Sequence, residues 1–371
     1  MKYVYRKKTY KIIFSVLDVL GGILFFPGKI FRRRPPENVG KILVIRCDHI
    51  GDVLAATIIP GLLRKAYPPA QIDFMVPSWA KDILKNNPDI NNIIEFDAPW
   101  FDRSYVNLLA RIKGLKNMTR TIGNGKYDIA IDLRGDVRHI TAMFLAGVKC
   151  RLGYGITGGG FMLTHTVPYE GVMHETERNV FLLKPLEINV SAPGIKLYLS
   201  EEDAGKTDLL MEESGVKGPY AVFHTVPGHY TKKWTAQGFV EVARYISKNK
   251  GLTPVLVGSE ADMGVAKKIT EVANIKIVDL SGRTSLNVLG QILSKASLFV
   301  GVDSAPAHIA AAAGTPSVIL FSGVNDPRQW APKGENVKLV YPGAGEKLSV
   351  IDAGEVCGII DEFLSNKERV R

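Results

Sequence analysis

Between Leu298 and Phe321 the chain reads LFVGVDSAPAHIAAAAGTPSVILF, and few folds can accept such a segment. An apolar run suited to a buried strand gives way to a short polar turn, a helix of small residues, a glycine and a second apolar run. Pro306 suits the first helical turn, where its missing N–H is not needed. Asp303 or Ser304 suits the N-cap, and Gly314 supplies the stop. Strand, helix and strand in so little sequence predict a βαβ crossover, and therefore a parallel sheet. Free N–H groups and the helix dipole converge at the start of that helix, so the turn is also a natural seat for phosphate or pyrophosphate. An ordinary crossover would be capped in the same way, so other segments have to decide.

The alternation continues along the chain. Lys41–Arg46, Gln71–Val76, Ile93–Phe96 and Asp128–Leu133 read as strands, with helices over Val53–Tyr67 and Ala80–Asn86. The pattern restarts at Tyr220–His224, with strands at Thr253–Val257 and Ile277–Leu280. Helices are expected near Thr235–Asn249, Asp262–Val272 and Ser285–Lys295. A length of 371 residues suits about two domains. The expected organisation is a leader over 1–40, a first domain over 41–190, a linker over 191–218 with a charged helix near Glu201–Glu213, a second domain over 219–345, and a C-terminal helix within 346–371. Two doubly wound α/β domains would face each other across a cleft, with ligands at the carboxyl ends of both sheets. The three cysteines, Cys47, Cys150 and Cys357, are far apart, which suits burial in a reducing compartment.

Charge is concentrated at one end. Residues 1–40 hold nine bases against two acids, a net of +7 out of +10 for the whole chain. The basic balance therefore belongs to the leader, and no nucleic-acid partner is expected for the body. Ile12–Phe26 is apolar except for Ser15, Asp18 and Gly21-Gly22; as a helix it would span ~22 Å, less than a bilayer core. Lys8, Lys11, Ser15, Asp18 and Gly22 align in one narrow stripe. These features predict a helix lying on an anionic membrane surface through residues 1–34, peripheral or monotopic, on the cytoplasmic face. A signal peptide and a helix docked on protein are the alternatives; Phe31-Arg-Arg-Arg-Pro-Pro is not a cleavage pattern.

The exit of the first strand, Arg46-Cys-Asp-His-Ile-Gly-Asp52, gathers titratable groups where α/β sheets bind ligands. Gly51 allows a tight turn. Asp52 suits either an N-cap or a general base, and His49 either the acceptor side of a site or an exposed loop. The first exit of the second domain, HTVPGHYTKKW from His224, offers Thr225 and Lys232 for phosphate. Glu260, after the next strand, could accept hydrogen bonds from a ribose. Gly153-Tyr-Gly-Ile-Thr-Gly158 matches the dinucleotide glycine pattern, but it neither follows a clear strand nor opens a helix; a flexible loop at the cleft rim is expected instead. No Asp-x-Asp, His-Glu-x-x-His, Walker or Gly-x-Ser-x-Gly motif is present, so the sequence gives no support to metal or serine-hydrolase chemistry.

Seven ordered segments, KILVIRCDHIGDVLAATIIPGLLRKAYP, IDLRGD, RLGY, HETERNVFLL, HTVPGHYTKKWTAQGF, SGRTSL and GVDSAPAHIAAAAGTPSVILF, resemble glycosyltransferase family 9, the heptosyltransferases, over nearly all of residues 41–364. The resemblance implies two Rossmann-like domains (the GT-B fold). It also implies inverting, metal-independent sugar transfer from a nucleotide-diphosphate donor such as ADP-heptose to lipopolysaccharide core or another lipid-linked saccharide, with no cofactor. By position it implies Asp52 as catalytic base, Lys232 at the donor phosphates with Thr225 nearby, and Glu260 at the ribose. Asp303, Ser304 and His308 fall on the donor turn, Asp303 for sugar hydroxyls or for capping. N–H groups around Ser304, Ala305 and Ala307 would face the diphosphate. Members often carry glycine where this chain has Ala305, and the 40-residue leader is not a usual feature; both bear on donor and acceptor choice. The rival readings are a nucleotide-sugar epimerase or hydrolase, a non-catalytic binding protein and a nicotinamide oxidoreductase.

Overall fold

A computed structural model of the chain describes residues 8–24, 36, 38–101, 107–190 and 194–368. Of the bases expected at the two ends of the leader helix, all but Lys8 and Lys11 lie outside the described residues. The chain divides into two compact units, Met1–Pro193 and Gly194–Arg371.

The first unit opens with helix α1 (Lys8–Leu24). Its sheet comprises β1 (Lys41–Ile45), β2 (Gln71–Val76), β3 (Asn92–Glu95), β4 (Ile129–Asp132), β5 (Cys150–Gly153) and β6 (His165–Thr166). The order is β3-β2-β1-β4-β5-β6, and every pairing is parallel. Short helices α2 (Ile50–Leu54) and α3 (Ile59–Ala66) follow β1 where a single helix is expected over Val53–Tyr67. Pro60 explains the break: it has no N–H to offer the carbonyl of Ala56, so one helix cannot run through. The helix expected at Ala80–Asn86 is a 3₁₀ turn over Ser78–Leu84. Three further helices, α4 (Leu108–Gly125), α5 (Val137–Leu145) and α6 (Glu175–Phe181), complete the unit. Leu43, Ile45 and Ala130 of the sheet pack on Met118, Ile122, Ile140 and Met143 of α4 and α5 in a dry core, each large side chain contributing ~1.5–3 kcal/mol by leaving water.

The second unit repeats the plan. Helix α7 (Glu201–Glu213), capped by Ser200, precedes β7 (Tyr220–His224). There follow α8 (Ala236–Lys250), β8 (Thr253–Leu256), α9 (Met263–Ala273), β9 (Val278–Asp279), α10 (Leu286–Lys295), β10 (Leu298–Val302), α11 (Ala305–Ala312), β11 (Ser317–Leu320), α12 (Pro327–Trp330), β12 (Val337–Val340) and α13 (Ala353–Glu368). The sheet order is β12-β11-β10-β7-β8-β9, all parallel. Thr235 caps α8 through the N–H of Gly238, and Gly251 ends it at φ +63°. Trp234 donates from Nε1 to the carbonyl of Ile351 at 3.0 Å, tying the segment before α13 to the core. Both units are thus Rossmann-like and doubly wound. Each reverses its strand order next to its first strand, between β1 and β4 and between β7 and β10. Crevices at such reversal points are where these sheets bind ligands.

Candidate active site

In the first unit the reversal point is built around Arg46. Strand β1 ends in an apolar run, so the side chain that follows it enters a buried space: the guanidinium is 2% exposed. It cannot discharge there, and its partners come from three segments of the chain. Nη2 meets Asp52 Oδ1 at 2.7 Å and Glu175 Oε1 at 2.9 Å; Nη1 donates to the carbonyl of Leu133 at 2.8 Å. Asp48 Oδ2 stands 3.8 Å from Nε. Burial opposes the charge on Arg46, but Asp52, Glu175 and Asp48 together keep it protonated well above the ordinary arginine range. Asp48 is pushed up, by burial first and then by the charge of Asp52, against the pull of Arg46 and of Arg134, whose Nη1 lies 3.0 Å from it.

Asp52 stands in the first turn of α2 and does not cap it; the N-cap is His49, which is exposed and makes no side-chain cap bond. The capping alternative for Asp52 is therefore corrected: its carboxylate turns to Arg46 instead. Asp52 remains partly exposed, with 13% of its side chain accessible, and is bonded to Arg46 through one oxygen. Gly51 is half-buried within α2. A base anchored by a buried cation and open on one side can receive a proton from a bound hydroxyl.

In the second unit the reversal point lies between β7 and β10, with His224 paired to Gly301. Lys232, from the 3₁₀ turn Tyr230–Lys232, reaches across to Asp303 Oδ2 at 2.5 Å. Asn325 Nδ2 lies 3.4 Å from the same oxygen, and His308 Nε2 4.0 Å from Oδ1. Asp303 thus partners a lysine and does not cap α11. Ser304 occupies the N-cap position without a side-chain cap bond, because its hydroxyl donates to the carbonyl of Val302 and lies 2.9 Å from His224 Nδ1. Burial pushes His224 down to about 4, opposed weakly by Asp262, so it is neutral at physiological pH. The N–H of Ala307 is already bonded to Ser304 O at 3.0 Å and Pro306 has none, which leaves the N–H groups of Ser304 and Ala305 at the turn. That narrows the expected anion seat.

Thr225 is half-buried and borders a small pocket lined also by Val226, Pro227, Lys233, Val265 and Ile269. Glu260, exposed, opens a 3₁₀ turn after β8, the strand beside β7, and its Cγ would meet a Cβ added to Gly282 at 3.0 Å. The glycine segment 153–160 is no cofactor loop. Thr157 Oγ1 bonds to Gly135 O and receives the N–H of Val137, while the N–H of Gly159 goes to Asp18 of α1 at 2.8 Å. A loop so held replaces the flexible rim expected from its composition. Glu175 and His224 were not singled out from the sequence, and Arg46 and Asp48 entered only as part of the titratable exit of the first strand. A charged residue closing a buried strand was a signal for Arg46; nothing local points to Glu175, 129 positions away. Among the described residues no group of three His, Cys, Asp or Glu side chains is arranged to hold a metal ion.

The profile of glycosyltransferase family 9 (heptosyltransferase) matches residues 115–349. Lipopolysaccharide heptosyltransferase 3 of Escherichia coli K12 is 30% identical over 337 residues, covering 85% of this chain and 95% of that protein. A family 9 glycosyl transferase from Veillonella parvula superposes with a TM-score of 0.78 at 21% identity, over 90% of this chain and 99% of that one. The E. coli ADP-heptose lps heptosyltransferase II gives 0.73 at 21% identity, over 88% and 99%. Those superpositions speak for two Rossmann-like units of the GT-B kind, while the profile and the K12 relative reach further. With a parallel doubly wound sheet in each half and ionised clusters at both reversal points, the chain belongs to glycosyltransferase family 9, the heptosyltransferases, and is a glycosyltransferase.

Proposed function

We propose that this enzyme transfers a heptose from ADP-heptose to lipopolysaccharide core or another lipid-linked saccharide, with inversion and without a metal. The observation that carries the reading is Asp52, partly exposed and fixed by a buried arginine at the reversal point of the first sheet. In that reading the acceptor hydroxyl gives its proton to the Asp52 carboxylate as its oxygen attacks the anomeric carbon. The bond from that carbon to the phosphate oxygen breaks, and ADP departs with the electron pair. Lys232, the N–H of Ala305 and the start of α11 stabilise the negative charge that develops on the diphosphate. Asp303 holds Lys232 in place and shares it with the incoming donor, Thr225 and His308 flank the phosphates, and Glu260 accepts from the ribose. His49 and Gly51 line the acceptor side. We place the enzyme at the cytoplasmic face of the inner membrane, peripheral or monotopic, where its acceptor would be confined.

Thermal shifts with ADP, UDP, GDP, CDP and NAD separate the donor classes. ADP alone should raise the melting temperature, and Lys232→Ala should lose the response. Asp52→Asn keeps the hydrogen-bond acceptor for Arg46 while removing the base; transfer should fall by roughly 10²–10⁴-fold with the ADP shift intact. Transfer within a few fold of wild type would remove Asp52 from the role, and a response to another diphosphate alone would change the donor.

A further inference from the structure

Helix α1 has two different faces. Gly21 packs so closely on Phe161 that an added Cβ would stand 2.6 Å from its ring, and one added to Gly158 would stand 2.4 Å from the ring of Phe14. Asp18 accepts the N–H of Gly159 at 2.8 Å. Phe14, Asp18 and Gly21 follow the i, i+4, i+7 spacing of a single helix face. Two of their partners are glycines in the left-handed region, Gly158 at φ +95° and Gly159 at φ +77°, which a side chain would resist. The glycine segment that resembled a nucleotide loop is therefore a seat for the leader helix.

The opposite face is uncovered. Eight apolar side chains between Ile12 and Leu24, among them Val16, Leu20 and Ile23, are 49% to 77% exposed. At 100° per residue they occupy an arc of about 160°, wholly separate from the docked one. The only acid of α1, Asp18, is turned away from that face onto the protein. Among the described residues no helix is long and apolar enough to cross a membrane, and α1 is held to the first unit over two turns.

We propose that the outward face of α1 lies in the surface of an anionic lipid bilayer, with the helix parallel to the membrane and locked to the first unit by the Gly158–Phe161 seat. The inference deepens the membrane placement given above and rests on it. Charge selects the occupant: residues 1–40 carry nine bases against two acids, which anionic headgroups neutralise. Two leaders facing each other would bring like charges together. Helix α4, in the layer that continues from the seat through α5, carries a similar combination: exposed Leu108, Leu109 and Ile112 beside exposed Arg111, Lys113 and Lys116.

Flotation of the full-length protein with vesicles of phosphatidylethanolamine and phosphatidylglycerol, against phosphatidylcholine vesicles, tests the surface. Wild type should float with the anionic vesicles, and the pair Leu17→Glu, Leu20→Glu should reduce the bound fraction by roughly tenfold. Asp18→Ala should leave flotation within about twofold, since it alters only the seat, and should speed hydrogen exchange across residues 157–162. Equal flotation of the charged pair would overturn the outward face as the contact, and unchanged exchange in Asp18→Ala would overturn the seat. A wild-type protein that ignores both vesicles but sediments as a dimer would assign the face to a second copy. The ADP-induced melting shift, measured on wild type and on the same variants, keeps the outcomes apart. A wild-type protein that floats with neither vesicle yet keeps its ADP response sinks this inference and leaves the transferase reading standing, whereas flotation lost only in the charged pair, with its ADP response intact, supports it.

Discussion

At the scale of single residues, one buried cation organises the carboxylates of the first unit. Removing the charge of Arg46 would leave Asp48, Asp52 and Glu175 crowded in a nearly dry space, so Arg46→Met should destabilise the fold by ~3–5 kcal/mol. Arg46→Lys is the informative change. It keeps the charge but not the fork, and a single ammonium cannot hold Asp52, Glu175 and the Leu133 carbonyl in their present geometry. If Arg46 positions the base, kcat should drop by roughly 10–100-fold while the donor KM stays near wild type. Steady-state kinetics with the donor varied decides it: a rise in donor KM at constant kcat would place Arg46 outside that role. The sequence made Asp52 visible because it sits at a strand exit, but the pairing that holds it was not legible. Arg46 and Glu175 are joined by folding and not by spacing, and no local preference encodes a contact over 129 positions.

At the scale of elements, the strands were the most legible part. Short apolar runs such as Ile42–Ile45 and Leu298–Val302 fall in β1 and β10, because a strand buried on both faces favours apolar residues. The helices of the second unit were equally legible, Glu201–Glu213 coinciding with α7; the first helix of the first unit was not. Apolar periodicity carried the expected first helix through Pro60, where a missing N–H divides it, and the donor turn was given to capping when its side chains serve other partners. The joint of β7 and α11 is one such place: His224 on the strand lies against Ser304 at the helix start, buried and neutral. Its folded value of about 4 lies below the ordinary 6.5, so protonation favours the unfolded chain. The stabilisation is complete above about 6.5 and is lost as pH falls from there to about 4, amounting to ~3 kcal/mol. Urea unfolding of wild type and His224→Asn at a series of pH values should show the wild-type stability falling more steeply across that window. Parallel curves would mean that His224 does not stay neutral on folding.

At the scale of the whole molecule, the same winding occurs twice with different chemistry at the same topological point. In each sheet the strand order reverses beside the first strand; one reversal point gathers three carboxylates on an arginine, the other a lysine, an aspartate and a helix start. The repetition was legible in the alternation of strands and helices, although the two halves share no obvious sequence, because burying a parallel sheet between helices constrains pattern more than identity. Such a division of labour has a measurable consequence. If Asp52 is the base and the second unit holds the donor, as proposed, the donor should load without Asp52. Hydrogen exchange on the full-length protein with and without ADP should then show slowing in residues 225–233, 258–262 and 303–308. The same slowing should appear in Asp52→Asn, whose defect in the proposed mechanism concerns a proton and not the nucleotide. Slowing concentrated instead in residues 46–54 and 132–138 would hand the nucleotide to the first unit and exchange the roles assigned to the two reversal points. Slowing in the second unit that vanished in Asp52→Asn would tie nucleotide loading to the base, which the separation of the two clusters along the chain argues against.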